Sequence, residues 1–348
     1  MLTAVLIIAI VPAFLILGLG LVARAVAAQR ATPRVVQYTP ERDSTVLRDA
    51  LLIDADRRAA SAALIDLAVK RKIRLIAGAG KRDPIGVELV STAVLTTEEG
   101  ALLESLFGPE HTSTRVRRLS ADRRALAGRL RSLLLSTEHA LARDDLVAPR
   151  RVTWPGVTLT ILAYLGLLVE AVFLVVTIVG ADWAALVTTL IAVAATIATV
   201  LVTPSSWRRF LPAATPRREH LAGLKQYIDL AEADRLRMLQ SPSGAELRTT
   251  DAAAPEQSDP ITRFHLHERL LPYAVLFGLE REWVAKLKLE HTELAATDLD
   301  TVGLVDVTVD IALAIEAAGS VVELTSAVGD LADSAGNVID GVFELFNL

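Results

Sequence analysis

Three long apolar stretches, near Leu2 to Ala23, Val157 to Gly180 and Ala184 to Val202, constrain this chain more than any other feature. A bilayer core of ~30 Å takes about 20 helical residues, and each stretch is long enough. At that depth no water pairs with the backbone, so each stretch reads as a helix that satisfies its own N–H and C=O groups. The mean hydropathy of +0.42, with 52% hydrophobic and 22% charged residues, agrees: it is too apolar for an ordinary soluble protein and excludes a disordered chain. The chain has no cysteine, which excludes a disulfide framework, a thiolate metal site and a cysteine nucleophile.

Ala25-Val26-Ala27 offers small residues at which a signal peptide would be cut. No basic residue precedes the first stretch, however, and it exceeds the roughly 7 to 15 residues of a signal-peptide core, so it reads as an anchor. Arg24, Arg30 and Arg34 follow it. Between the second and third stretches, Gly180-Ala181-Asp182-Trp183 carries no Lys or Arg, whereas Arg150 and Arg151 precede the pair and Arg208, Arg209, Arg217 and Arg218 follow it. By the positive-inside rule the N-terminus lies outside, the hairpin turns outside, and both large segments lie in the cytoplasm of a multi-pass protein of the cell membrane.

The expected fold is mainly α. It consists of a first transmembrane helix (1–28), a small winged-helix-like α+β cytoplasmic domain (35–150), a transmembrane hairpin (154–204), a cytoplasmic helical domain (208–290) and an acidic amphipathic helical tail (291–348). In the first cytoplasmic segment, Val46, Leu47, Ala50 and Leu51 have helical spacing, as do Ala59, Ala62, Ala63, Leu64, Leu67 and Ala68. Ile73, Leu75 and Ala77 then alternate, Gly78 to Gly86 supplies turn chemistry, and Val87 with Leu89 starts a return strand. Thr96 or Thr97 is placed to cap a helix running to Phe107. Helix, helix, strand, turn, strand outlines a winged helix, and Lys70, Arg71, Lys72, Arg74, Lys81 and Arg82 flank the wing. Basic side chains are equally expected on a domain tethered close to anionic lipid, so lipid rather than nucleic acid is the expected partner.

After the hairpin, Leu221, Leu224, Ile228, Ala231, Leu236 and Leu239 set an amphipathic helix, and a polar linker leads to a second helical block from Arg263 to Leu289. Pro272 is placed to start a helix whose Tyr273, Leu276, Phe277 and Glu280 share one stripe. Tyr273 and Trp283 read as core or membrane-interface residues. The run ERLLPYAVLFGLEREWVAKL, with HLAGLKQYIDLAEADRLRML, ASAALIDLAVKRKIRLI and LTTEEGALLESLFG upstream, resembles the C-terminal half of the YciQ-like predicted membrane proteins, the domain-of-unknown-function family 2207. Leu271, Pro272, Tyr273 and Ala274, followed by Gly278 and Trp283, carry the most specific part. The resemblance implies an integral membrane protein with cytoplasmic modules, no established activity, and LemA-like membrane proteins as possible partners. Two departures stand out: the chain starts at the span that usually follows an external β-rich domain, and it ends in acidic rather than glycine-rich sequence.

The chain has no G-x-x-x-x-G-K-[ST], G-x-G-x-x-G after a strand, H-E-x-x-H or G-x-S-x-G. Gly78-Ala79-Gly80-Lys81 lacks the spacing of a phosphate loop. His265, His267 and Glu268 could chelate a metal only if extended, because positions two apart diverge on a helix. No catalytic, cofactor or metal site is therefore expected. Glu170, in the middle of the second span, is the ionisable residue to explain. It should face Thr196 or Thr199 across the hairpin, beside a stripe of small residues at Ala185, Thr188, Ala192 and Ala195. Past Lys288 there are 60 residues with 12 acids and no Lys or Arg. There Val328, Leu331, Ala335, Val338, Val342 and Leu345 form a heptad-like seam suited to docking or self-association on a basic protein surface.

The expectation is a non-enzymatic membrane scaffold or interaction protein that assembles through its hairpin and tail, as a homo-oligomer or with other membrane proteins. The alternatives are an oligomeric transport or signalling component using Glu170, and a membrane-tethered DNA-binding protein.

Overall fold

In the computed structural model the described residues are 2–33, 36–37, 39–41, 44–76, 86–90, 93–108, 116–118, 123–240 and 260–296. In chain order they form α1 (Leu2–Val5), a π-helical turn (Leu6–Ile10), α2 (Val11–Ala28), α3 (Val46–Leu52), α4 (Asp56–Val69), β1 (Ile73–Ile76), β2 (Gly86–Leu89), α5 (Thr97–Phe107), β3 (Val116–Arg118), α6 (Arg123–Arg143), α7 (Trp154–Val179), α8 (Trp183–Val202), α9 (Thr215–Gln240), α10 (Pro260–Phe277) and α11 (Glu280–Ala296). The chain is mainly helical and divides into two compact units.

The first unit contains residues 1–30 and 142–213. Three of its helices, Leu6–Ala28, Trp154–Val179 and Trp183–Val202, are long and apolar enough to span a membrane. At 1.5 Å per residue the shortest, with 20 residues, reaches about 30 Å. Small side chains bring these helices together: Val5 of α1 with Ala9 and Ala13 of the first span-length helix pack on Ala185, Ala192 and Ala195 of α8, and Ile16 and Ala23 pack with Leu159 of α7. Pro12 has no N–H for the carbonyl of Ile8, and the π-helical turn ends two residues before it.

At one end of this bundle the chain flanking the hairpin is zipped together. Val147 bridges Phe210 and Val152 bridges Trp207, both antiparallel. The N–H of Ala148 donates to the Arg209 carbonyl at 2.9 Å, and the N–H of Leu211 to that of Leu146 at 3.0 Å. Gln29, in a left-handed conformation past α2, adds a third strand-like contact: its amide donates to the Arg208 carbonyl at 2.6 Å and accepts from the Phe210 N–H at 3.2 Å.

The second unit contains the described residues of 31–141 and 214–296. The segments 35–150 and 208–290, expected as separate domains, therefore contribute to one body. Its centre is α4, on which α3, α5 and α10 pack. Seven consecutive residues of α4, Ala59 to Ile65, are buried, so the helix is enclosed on every side over that stretch. The run of Ala59, Ala60, Ser61, Ala62 and Ala63 is what lets neighbouring backbones approach that closely.

The sheet is a three-stranded antiparallel strip in the order β1-β2-β3, with Ile73 opposite Leu89 and Val87 opposite Arg117. The third strand was not anticipated. Residues 77–85, which hold the expected turn and the Gly78 to Lys81 run, lie outside the described residues. Thr96 caps α5 in a reciprocal box with Glu99, and the same Glu99 carboxylate pairs with Lys72 at 2.7 Å. The cap thus ties α5 to the chain entering β1.

The structure corrects the reading of Pro272. It lies inside α10, which starts at Pro260, and Glu280 falls in the next helix, so the stripe from Tyr273 to Glu280 is split. The break comes six residues later, at Gly278 with φ 83°. There the N–H of Leu279 donates to the Ala274 carbonyl at 2.8 Å and that of Gly278 to the Val275 carbonyl at 3.2 Å, the bond pattern of a Schellman cap. The proline removes a hydrogen bond without ending the helix because Leu270 to Leu276 is buried throughout, and that packing outweighs the local loss.

Candidate functional site

Within the membrane-type bundle, Glu170 on α7 is only 2% exposed. The Thr196 hydroxyl on α8 donates to its Oε1 at 2.7 Å, while Oε2 is buried with no hydrogen-bond partner. Thr199, the other candidate, donates instead to the Ala195 carbonyl at 3.0 Å. Gly166, one turn before Glu170, faces Thr196, and a Cβ there would lie in ordinary contact, 3.7 Å from the Thr196 methyl. Of the small-residue stripe of α8, Ala185, Ala192, Ala195 and Thr199 are buried within this protomer together with Thr196, whereas Thr188 is half-buried and donates to the Ala184 and Ala185 carbonyls. The acid and the stripe therefore pack inward, and leave the outward face to Leu165, Leu168, Val172, Val187 and Leu190.

In the second unit two polar clusters hold elements that are far apart in sequence. The first is centred on Asp49 of α3, 1% exposed. Tyr273 of α10 donates its hydroxyl to Oδ2 at 2.8 Å, and Arg217 of α9 donates Nε–H to Oδ1 at 3.3 Å. Ser44 also donates to Oδ1. Burial raises the Asp49 carboxyl above its ordinary range, against the lowering effects of Ser44, Tyr273 and Arg217. Burial, then the Asp49 carboxylate, push the Tyr273 hydroxyl up, which keeps it a donor. Nearby, Arg58 of α4 donates to the Val275 carbonyl at 3.4 Å and lies 3.9 Å from Glu280, which covers the end of α10. A Cβ at Gly278 would run into that guanidinium.

The second cluster surrounds His267. Its Nδ1 lies 2.7 Å and 2.8 Å from the two Glu290 oxygens. A carboxylate only accepts, so Nδ1 carries the hydrogen. Nε2 faces Lys286 Nζ at 3.3 Å and the Tyr227 hydroxyl at 3.4 Å. Trp283 donates its indole N–H to the His267 carbonyl at 2.9 Å and meets the imidazole edge-on, and Lys286 lies over the Trp283 ring at 4.5 Å. His265 is exposed and bonds Glu268 at 3.2 Å, so the two histidines do different things and make no chelate. Among the described residues no group of three or more His, Asp or Glu could hold a metal.

The motif residues thus have distinct places: Leu271 and Ala274 are fully buried, Pro272 lies within the same buried run, Tyr273 reaches Asp49, Gly278 ends α10 under Arg58, and Trp283 holds the His267 carbonyl. Val328, Leu331, Ala335, Val338, Val342 and Leu345 lie outside the described residues. Sequence reasoning missed Asp49, Arg58, Arg217 and the His267–Glu290 pair. Asp49 did carry a signal, as an acid inside the apolar run Val46 to Leu52. Its partner is 224 residues away, and no spacing rule reaches that far. Set against family models, curated proteins and solved structures, the chain matches none of them.

Proposed function

We propose that this chain is an integral membrane protein that crosses the bilayer three times and carries one composite cytoplasmic module, acting as a non-enzymatic scaffold or interaction protein. One observation carries the reading. The segments before and after the hairpin fold into a single unit, pinned by Tyr273 and Arg217 on Asp49 and by Arg58 on the Val275 carbonyl. Segments that share a core must share a side of the membrane, which supports a hairpin that crosses twice; that the side is the cytoplasm rests on Arg150, Arg151, Arg208 and Arg209. The YciQ-like resemblance fits this reading in one respect: Tyr273 and Gly278 of its most specific run meet Asp49 and Arg58 of the other segment. Partners on this reading are membrane lipids, further copies of the chain, and other membrane proteins, LemA-like ones among them.

The acidic tail is the proposed contact element, seam inward and carboxylates toward basic groups. The test is pull-down and oligomer sizing of the full chain and of a chain ending at Ala296, at low and high salt. Loss of a partner or of an oligomer on truncation, weakened by salt in the full chain, supports the scaffold. Unchanged assembly and partners at both salt concentrations sink it.

A transport or signalling role for Glu170 is the second reading, favoured by its unpartnered buried Oε2. The winged-helix reading keeps its helix, helix, strand, strand order, but DNA binding ranks last. The helix before the wing would have to enter a groove, and Ala59 to Ile65 of α4 are enclosed by protein.

A further inference from the structure

The two ends of the membrane-type bundle differ sharply in charge, and the difference has a shape. At one end, α8 begins after Gly180-Ala181-Asp182, with no Lys or Arg. At the other, Arg24 and Arg30 close the first helix, Arg150 and Arg151 precede α7, and Arg209 follows α8; all five are exposed. They are gathered rather than scattered. The bridges Val147 to Phe210 and Val152 to Trp207 hold the 150–151 and 207–210 segments side by side, and the Gln29 amide ties the residue before Arg30 to Arg208 and Phe210. The acids of this stretch, Asp144 and Asp145, precede the Val147 bridge in the chain. Trp154, in the first turn of α7, is 73% exposed, where an indole sits at headgroup depth. Arg24 lies one turn inside the end of its helix, within snorkelling reach of that plane.

From this arrangement we infer that the zipped end of the bundle is a collar for anionic phospholipid headgroups, with the five arginines on lipid phosphates and Trp154 seated beside them. Guanidinium groups suit the task because their donors pair with phosphate oxygens two at a time. The inference rests on the reading that the three helices cross a bilayer, and it adds a lipid class to it.

The full chain, purified in mild detergent, is tested for lipid retained by mass spectrometry and for the shift in melting temperature on adding phosphatidylglycerol, phosphatidylcholine or inorganic phosphate. The expected result is selective retention of and stabilisation by phosphatidylglycerol, weakened by salt. Binding should fall about five-fold for each arginine replaced, in Arg150→Gln with Arg209→Gln and separately in Arg24→Gln with Arg30→Gln. Equal response to phosphatidylcholine, an undiminished response in both double variants, or saturation by inorganic phosphate alone overturns the collar. Alkaline carbonate washing of membranes separates the two levels. A chain that stays in the membrane yet shows no lipid preference loses the collar and keeps its spans, whereas a chain released by carbonate loses both.

Discussion

A carboxylate that is 1% exposed has to be surrounded by donors, and at Asp49 those donors come from both chain segments of the second unit. Tyr273→Phe removes one of them without changing shape. The expected loss is about 1 to 3 kcal/mol, read as a lower melting temperature of the chain in detergent, because the buried oxygen keeps its desolvation penalty and loses a partner. The titration has a definite sign. Burial raises the folded-state value above the ordinary 3.8, so between those two values the folded chain holds a proton that the unfolded chain has released. Stability therefore falls as pH rises through that window and levels off above it. Asp49→Asn has no such slope. Its stability relative to the parent should improve as pH is raised from about 4, in melting curves taken across the window. A relative decline instead would mean that the ion pair with Arg217 dominates burial.

Among the elements, α10 shows where sequence reading succeeds and where it stops. Its apolar content was legible; its start was not, because Pro272 looks like a first-turn residue and only tertiary burial keeps it mid-helix. Gly278→Ala forces a side chain into φ 83° against the Arg58 guanidinium. Backbone strain alone costs roughly 1 to 2 kcal/mol, and Arg58→Ala in the same chain should restore part of the melting temperature but not all of it. The Glu170 to Thr196 pairing was legible because both residues lie on long regular helices, where depth can be counted residue by residue. Thr196→Val, Glu170→Leu and the double variant form a cycle whose coupling should be about 0.6 to 1.7 kcal/mol in detergent unfolding. Zero coupling would remove the packing role of that bond and leave Glu170 to the transport reading.

At the scale of the molecule, the three helices long and apolar enough to cross a membrane were legible from apolar length alone. The union of the two flanking segments was not. It depends on contacts such as Arg58 with Val275, 217 residues apart, which leave no local pattern. That union is also what makes the membrane layout testable in a chain that has no cysteine of its own. Single cysteines at Ala181, at exposed Ser132 on α6 and at exposed Gln226 on α9, probed with a membrane-impermeant maleimide on intact cells, give the most direct measurement. The account predicts that Ala181→Cys is labelled in intact cells, and that Ser132→Cys and Gln226→Cys are labelled only after permeabilisation. Labelling of Ser132→Cys and Gln226→Cys from opposite sides would contradict the shared module, and labelling of both from outside would reverse the orientation.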